Sequence, residues 1–240
     1  MTGALTLYRS SIGKKAIMAV SGIVLVGFLV LHMYGNTKMY QGPEAFNAYA
    51  AGLREIGYPV FGHEHLLWIV RVVLLAAVIL HIWSATQLTL MSRASTMTSR
   101  VSNASRYGRK SNAHSSYASR TMRWGGIIIF LFIIYHLLHF TFGVVGYGAG
   151  QFMHPENGEY QVYSNVVRGF SVWPVSLFYI VAMVALAMHL YHGVWSAFQT
   201  LGLNNRHFTR FWRGLAILVT AVIVIPNISF PIAVLLGIVS

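Results

Sequence analysis

Five stretches of this chain are each about 20 residues or longer and almost free of charge, the length needed to cross a hydrocarbon core about 30 Å thick. They run over Ala16–Tyr34, Leu66–Met91, Trp124–Gly146, Pro174–Gln199 and Gly214–Ile238. No water is present in such a core to satisfy backbone N–H and C=O groups, so each stretch must close its own hydrogen bonds as a helix. The expected fold class is an all-α integral membrane protein with five transmembrane helices, residues 1–240 forming one membrane domain. A hydrophobic fraction of 56% against 9% charged residues agrees with that solvent. The first stretch is too long, and too poor in a small-residue cleavage site, to read as a removable signal peptide.

The formal net charge of +12 suggests nucleic acid until its placement is considered. Arg9, Lys14 and Lys15 precede the first span. Arg93, Arg100, Arg106, Arg109, Lys110, Arg120 and Arg123 fill the link between spans two and three, and Arg206, Arg210 and Arg213 lie between spans four and five. All five acidic residues, Glu44, Glu55, Glu64, Glu156 and Glu159, fall in the other two loops. By the positive-inside rule the basic side is cytoplasmic, with the N-terminus in and the C-terminus out. The expected partners of the basic side are membrane lipid and a docked soluble protein, not nucleic acid. The longest link, Ser92–Arg123, is Ser-rich and basic and cannot build a core, so catalysis on that side requires another polypeptide. There is no cysteine, which excludes iron–sulfur ligation and disulfides within the chain. A phosphate-binding glycine motif, a nucleophile with its base and a pair of carboxylates are also missing.

What remains is histidine. Span one carries His32, span two His81, span three His136 and His139, span four His189 and His192, and span five none. A lone intramembrane histidine reads as an interhelical hydrogen bond. Four consecutive helices each holding one is another matter, because polar groups at that depth are costly and mark function. At about 1.5 Å per residue, His81 and His189 lie roughly 15–18 Å from the basic end and His32 roughly 25 Å from it. His136 and His139 come out at roughly 20 and 24 Å. An inner level thus pairs span two with span four, and an outer level pairs span one with span three. Two imidazoles facing across a bundle, with glycines to admit a flat macrocycle, make a bis-His haem site. Gly22, Gly27, Gly125, Gly126, Gly143 and Gly193 supply such openings, or else serve tight helix packing. Zinc would call for three convergent ligands and open water.

The runs "HMYGNTKMYQGPEAFNAYAAGLREIGYP", "MRWGGIIIFLFIIYHLLHF" and "HLYHGVWSAFQTLG" resemble the membrane anchor of succinate:quinone oxidoreductases. More narrowly, the chain is similar over nearly its whole length to the single-subunit, five-helix, two-haem cytochrome b anchor of bacterial succinate dehydrogenases and fumarate reductases. That resemblance implies a tricarboxylic-acid-cycle complex in the bacterial plasma membrane, with an FAD-carrying flavoprotein subunit and an iron–sulfur subunit on the cytoplasmic side. This chain would be its non-flavin membrane subunit, passing electrons through two b haems to a quinone, most often menaquinone. By the same resemblance the axial ligands are His32 and His136 for the outer haem iron and His81 and His189 for the inner one. His139 and His192 then serve beside them or contact a propionate or quinone, although depth alone leans toward His139 in span three.

Arg71 and Arg168 are candidates to pair with a haem propionate, or else snorkel to the outer interface. His63, Glu64 and His65 cluster where span two leaves the outer surface and could exchange protons with a quinone. Pro226 and Pro231 should kink span five, whose role is packing. Two rival readings remain: the two-haem anchor of a hydrogenase or formate dehydrogenase, and a histidine-relay transporter. The latter would be expected to carry Asp or Glu inside its spans.

Overall fold

The computed structural model describes residues 10–101, 117–156 and 158–240, and their side chains except at 95–101 and 117–121. Arg9, Arg106, Arg109 and Lys110 of the basic side lie outside the described residues, and the side chains of Arg100 and Arg120 are likewise outside them. Among the described residues the secondary structure is helical, and no strand forms. Helix α1 spans Ser11–Asn36 and runs on through a 3-10 turn, Thr37–Gln41. It is followed by α2 (Pro43–Glu55), α3 (His65–Val101), α4 (Tyr117–His136), a π turn (Leu137–Thr141), α5 (Val162–Ser171), α6 (Trp173–Thr200) and α7 (Thr209–Leu235). Five of the helical segments are long and apolar enough to cross a membrane: Ser11–Gln41, His65–Ala94, Met122–Thr141, Trp173–Thr200 and Thr209–Leu235. The chain is a multi-pass membrane protein.

Local sequence explains where these helices begin and end. Ser10 caps α1 by accepting a 3.0 Å bond from the Gly13 N–H, and prolines occupy the first turns of α2 and α6, where a missing N–H costs nothing. Two boundaries differ from expectation. The link over Ser92–Arg123 is helical at both ends, to Val101 and from Tyr117, because Ser, Thr and Arg without Gly or Pro let a helix extend into water. The third span stops at Thr141 rather than Gly146, since Gly143 and Gly146 adopt φ of 65° and 78°, outside any right-handed helix. The helix assigned to α7 runs unbroken through Pro226 and Pro231.

Helix α6 is the most buried span, packed on α7, α4 and α1, and α1 in turn packs on α3 and α7. The most extensive seam joins α6 to α7, where Ala182, Met183, Leu186 and Leu190 are buried beside Ile223 and Val224, and Ala216 is buried as well. Small residues suit that seam, because lipid tails are as apolar as leucine and helices associate in them through close van der Waals approach. Leu75, Leu131 and Ile225 point outward, as a lipid-facing surface requires. At the acidic end, α2 and α5 pack on each other and cover the bundle, Asn47 of α2 accepting a 3.0 Å bond from the Tyr163 N–H of α5. Both helices fall in stretches read as loops from sequence.

Candidate functional site: two facing histidine pairs

On α3, the His81 ring sits against α1 beside Gly22. A Cβ at Gly22 would come within 3.3 Å of its Cε1. Its Nδ1 lies 3.1 Å from the Met18 carbonyl oxygen and 3.4 Å from the Ser21 hydroxyl. A carbonyl can only accept, so Nδ1 carries the proton and Nε2 keeps its lone pair. That tautomer is the one imidazole adopts as a metal ligand, with its other nitrogen donating to a carbonyl. Across from it stands His189 of α6, with ring centroids 6.2 Å apart and planes inclined by 60°. The His189 Nδ1 is buried without a hydrogen-bond partner, and a Cβ at Gly126 of α4 would lie 3.7 Å from its Cε1.

A second pair lies nearer the acidic end. His32 of α1 faces His136 of α4, with centroids 5.8 Å apart and planes at 87°. Phe28 stacks on His32 at 5.2 Å, one turn earlier on the same helix, and Phe132 and Phe140 flank His136 at 5.8 and 5.7 Å. The Nδ1 of His136 lies 3.3 Å from the Tyr179 hydroxyl. Among the described residues no hydrogen bond joins the two rings of either pair. Both pairs bridge helices that are not principal packing partners: α3 packs on α1 and α4 on α6, whereas the rings meet from α3 to α6 and from α1 to α4.

The π turn explains why His139 is not in the second pair. Its wider turn rotates each residue by less than an α-helix does, so His136 alone faces His32, although both rings still reach the Tyr179 hydroxyl. His139 is fully buried and walled by Phe140 and Tyr147, their ring centroids 4.0 and 4.7 Å from its own. His192 lies one turn beyond His189 toward the basic end, edge-on to Trp195 at 6.4 Å. The guanidinium of Arg213 covers the same indole at 4.7 Å.

Comparison with protein-family models, curated proteins and solved structures gave no match. Among the described residues no group of three or more His, Asp or Glu converges, so each site offers two nitrogens. Such a donor set fits a metal whose remaining positions are filled by a planar macrocycle. Two metal–nitrogen bonds of about 2 Å each, with half a ring at either end, roughly span the observed separations. Near them a Cβ at Gly27 or Gly193 would meet nothing within 4 Å.

The other sequence candidates stand apart from the pairs. Arg71 is exposed and lies over the Trp68 ring at 4.7 Å, while Arg168 donates to the Gln151 carbonyl at 2.8 Å. His63, Glu64 and His65 each have a different partner. The Nδ1 of His63 lies 2.9 Å from a Glu55 oxygen, Glu64 accepts from Arg54 at 3.0 Å, and the His65 Nδ1 accepts from the Gly62 N–H at 3.2 Å. The left-handed backbone of Glu64, at φ 62°, is tied by its own N–H to the Arg54 carbonyl at 2.7 Å. Those contacts close the joint between α2 and α3. Nearby, burial and then the neighbouring Tyr135 raise the Tyr147 phenol, which donates to the Asn165 carbonyl as a neutral hydroxyl. Sequence reading missed Ser21, the Met18 carbonyl and Tyr179, all of which hold the paired rings. Ser21 and Tyr179 each left a signal, a hydroxyl in an otherwise apolar run.

Proposed function

We propose that this chain is the two-haem cytochrome b anchor of a succinate:quinone oxidoreductase in the bacterial plasma membrane. The carrying observation is that four histidines from four helices meet as two facing pairs at two depths, with the His81 tautomer set for ligation by a backbone carbonyl. His81 and His189 would hold the inner haem and His32 and His136 the outer one. Bound there, the two groups would carry single electrons between the two ends of the bundle. The chain's own residues have the task of holding neutral imidazoles in fixed tautomers and orientations inside a dry bundle. Met18 and Ser21 do so for His81 and Tyr179 for His136 through hydrogen bonds, and Gly22 lets the His81 ring lie close against the α1 backbone.

The basic end, placed on the cytoplasmic side by its Lys and Arg residues, would dock the flavoprotein and iron–sulfur subunits. Quinone, of the menaquinone type, would react toward the acidic end near His63, Glu64 and His65. A pyridine haemochrome assay on the purified complex tests the reading. Two b-type haems per chain, bleached and coloured by succinate and quinone in a preparation that also contains flavin and iron–sulfur protein, are expected. One haem or none would sink the pairing. Two haems with a hydrogenase or formate dehydrogenase as partner would keep the pairing and change the enzyme.

A further inference from the structure

The Tyr179 hydroxyl is shared by two histidines. Its oxygen lies 3.3 Å from the His136 Nδ1 and 2.9 Å from the His139 Nδ1, and both Tyr179 and His139 are buried. His139 cannot turn away. A Cβ at Gly146 or Gly169 would come within 2.8 and 2.6 Å of its Nε2, which has no hydrogen-bond partner. A phenol has one proton to give, and no acceptor other than these two nitrogens is described for it. One of the imidazoles therefore accepts that hydrogen bond at Nδ1. If His136 ligates through Nε2, as the proposed function requires, its own proton sits on Nδ1 and points at the phenol oxygen. The phenol must then donate to His139, along the shorter of the two contacts.

We infer that Tyr179 and His139 are positioning residues for the His136 ligand, joined in one directed chain from His136 Nδ1–H to the Tyr179 oxygen and from Tyr179 O–H to His139 Nδ1. The caged ring is what gives the chain its direction. With Nε2 shut between two glycine backbones, His139 offers the phenol a single acceptor and cannot exchange it for another. A phenol that donates becomes a better acceptor, and the His136 ligand in turn becomes more electron-rich. An electron-rich axial ligand favours the oxidised metal, so the chain lowers the potential of one haem and leaves the other unchanged. This inference rests on the proposed function but makes its own claim, since neither Tyr179 nor His139 would touch the iron.

The test is a potentiometric titration of the purified complex, followed by visible absorption, in the parent protein and in Tyr179→Phe, His139→Leu and His139→Gln. Haem content is measured first, and fewer than two haems in the parent protein would count against the proposed function itself. In Tyr179→Phe one midpoint should rise and the other stay fixed. His139→Leu should move the same midpoint in the same direction by less, and His139→Gln, whose carbonyl can accept from the phenol, should move it back toward the parent value. Unmoved midpoints in Tyr179→Phe, or equal shifts in both, would overturn the inference. Should Tyr179→Phe fail to hold haem, the two His139 variants still decide, and equal midpoints in them would overturn it. A nitrogen-15 spectrum of labelled histidine gives a readout of the chain itself, with His139 protonated at Nε2 and accepting at Nδ1. The opposite tautomer would contradict the stated direction.

Discussion

At the scale of single residues, the assignment depends on which nitrogen of each ring is committed to protein. In His81 the Nδ1–H donates to the Met18 carbonyl, which commits that nitrogen to protein and leaves Nε2 with its lone pair. If the pairs are the inner and outer sites, His81→Ala should abolish one redox transition in a potentiometric titration and spare the other. His32→Ala should do the reverse. Loss of the same transition in both variants would mean that the two depths are wrongly assigned. Glycine makes a second test possible. At Gly169 an added methyl would meet the His139 ring at 2.6 Å, and that ring is held by Tyr179, Tyr147 and Phe140. Gly169→Ala should therefore cost about 1–3 kcal/mol, as overpacking does in a filled core. A lowered thermal midpoint in detergent is the expected result, and an unchanged one would show that the cage can yield.

Among the elements, the π turn at Leu137–Thr141 and the two short helices at the acidic end do most to shape the site. The π turn takes His139 out of the pair and hands it to Tyr179. Helix α5 is held to the preceding loop by Asn165, whose side-chain oxygen accepts from the Met153 N–H and whose amide donates to the Met153 carbonyl, both at 2.8 Å. Asn165 is buried, so Asn165→Ala leaves both backbone groups of Met153 without these partners, at a cost of about 1–3 kcal/mol for each group that stays buried and unpaired. Hydrogen exchange should then speed up across Tyr147–Glu156 while α6 and α7 keep their protection. Unaltered exchange at Met153 would mean that Asn165 does not anchor the loop.

For the whole molecule, sidedness is the property that would turn the two proposed haem sites into a wire. The chain has no cysteine, so single cysteines report topology cleanly. Thr209→Cys, at the basic end, should react with an impermeant maleimide only from the cytoplasmic face, and Gly158→Cys, at the acidic end, only from the outer face. Labelling of both from one face would contradict the five-span topology. A functional consequence follows from the same geometry. Moving one elementary charge fully across a membrane couples to about 2.3 kcal/mol per 100 mV. Under the proposed function, succinate:quinone turnover in vesicles should accordingly change with the sign of an imposed potential. Indifference to it would place the quinone site at the basic end, away from His63, Glu64 and His65.

The sequence by itself determined the solvent, the five spans and the histidines worth watching. Each of these depends on properties of a short segment: about 20 apolar residues, a charge bias between loops, a ring at a given distance along a helix. Depth arithmetic proposed pairs at two levels because rise per residue is nearly constant in an α-helix. It could not choose between His136 and His139, since that choice depends on a π turn, and a hydrogen-bonding pattern one residue wider leaves almost no trace in composition. Nor could it identify Met18, Ser21 and Tyr179 as partners, because a backbone carbonyl is present at every position and only packing selects one. The tertiary structure decided which rings face each other, which nitrogens are tied and which histidine is caged. Those are relations between helices distant in sequence, fixed by how α1, α3, α4 and α6 pack.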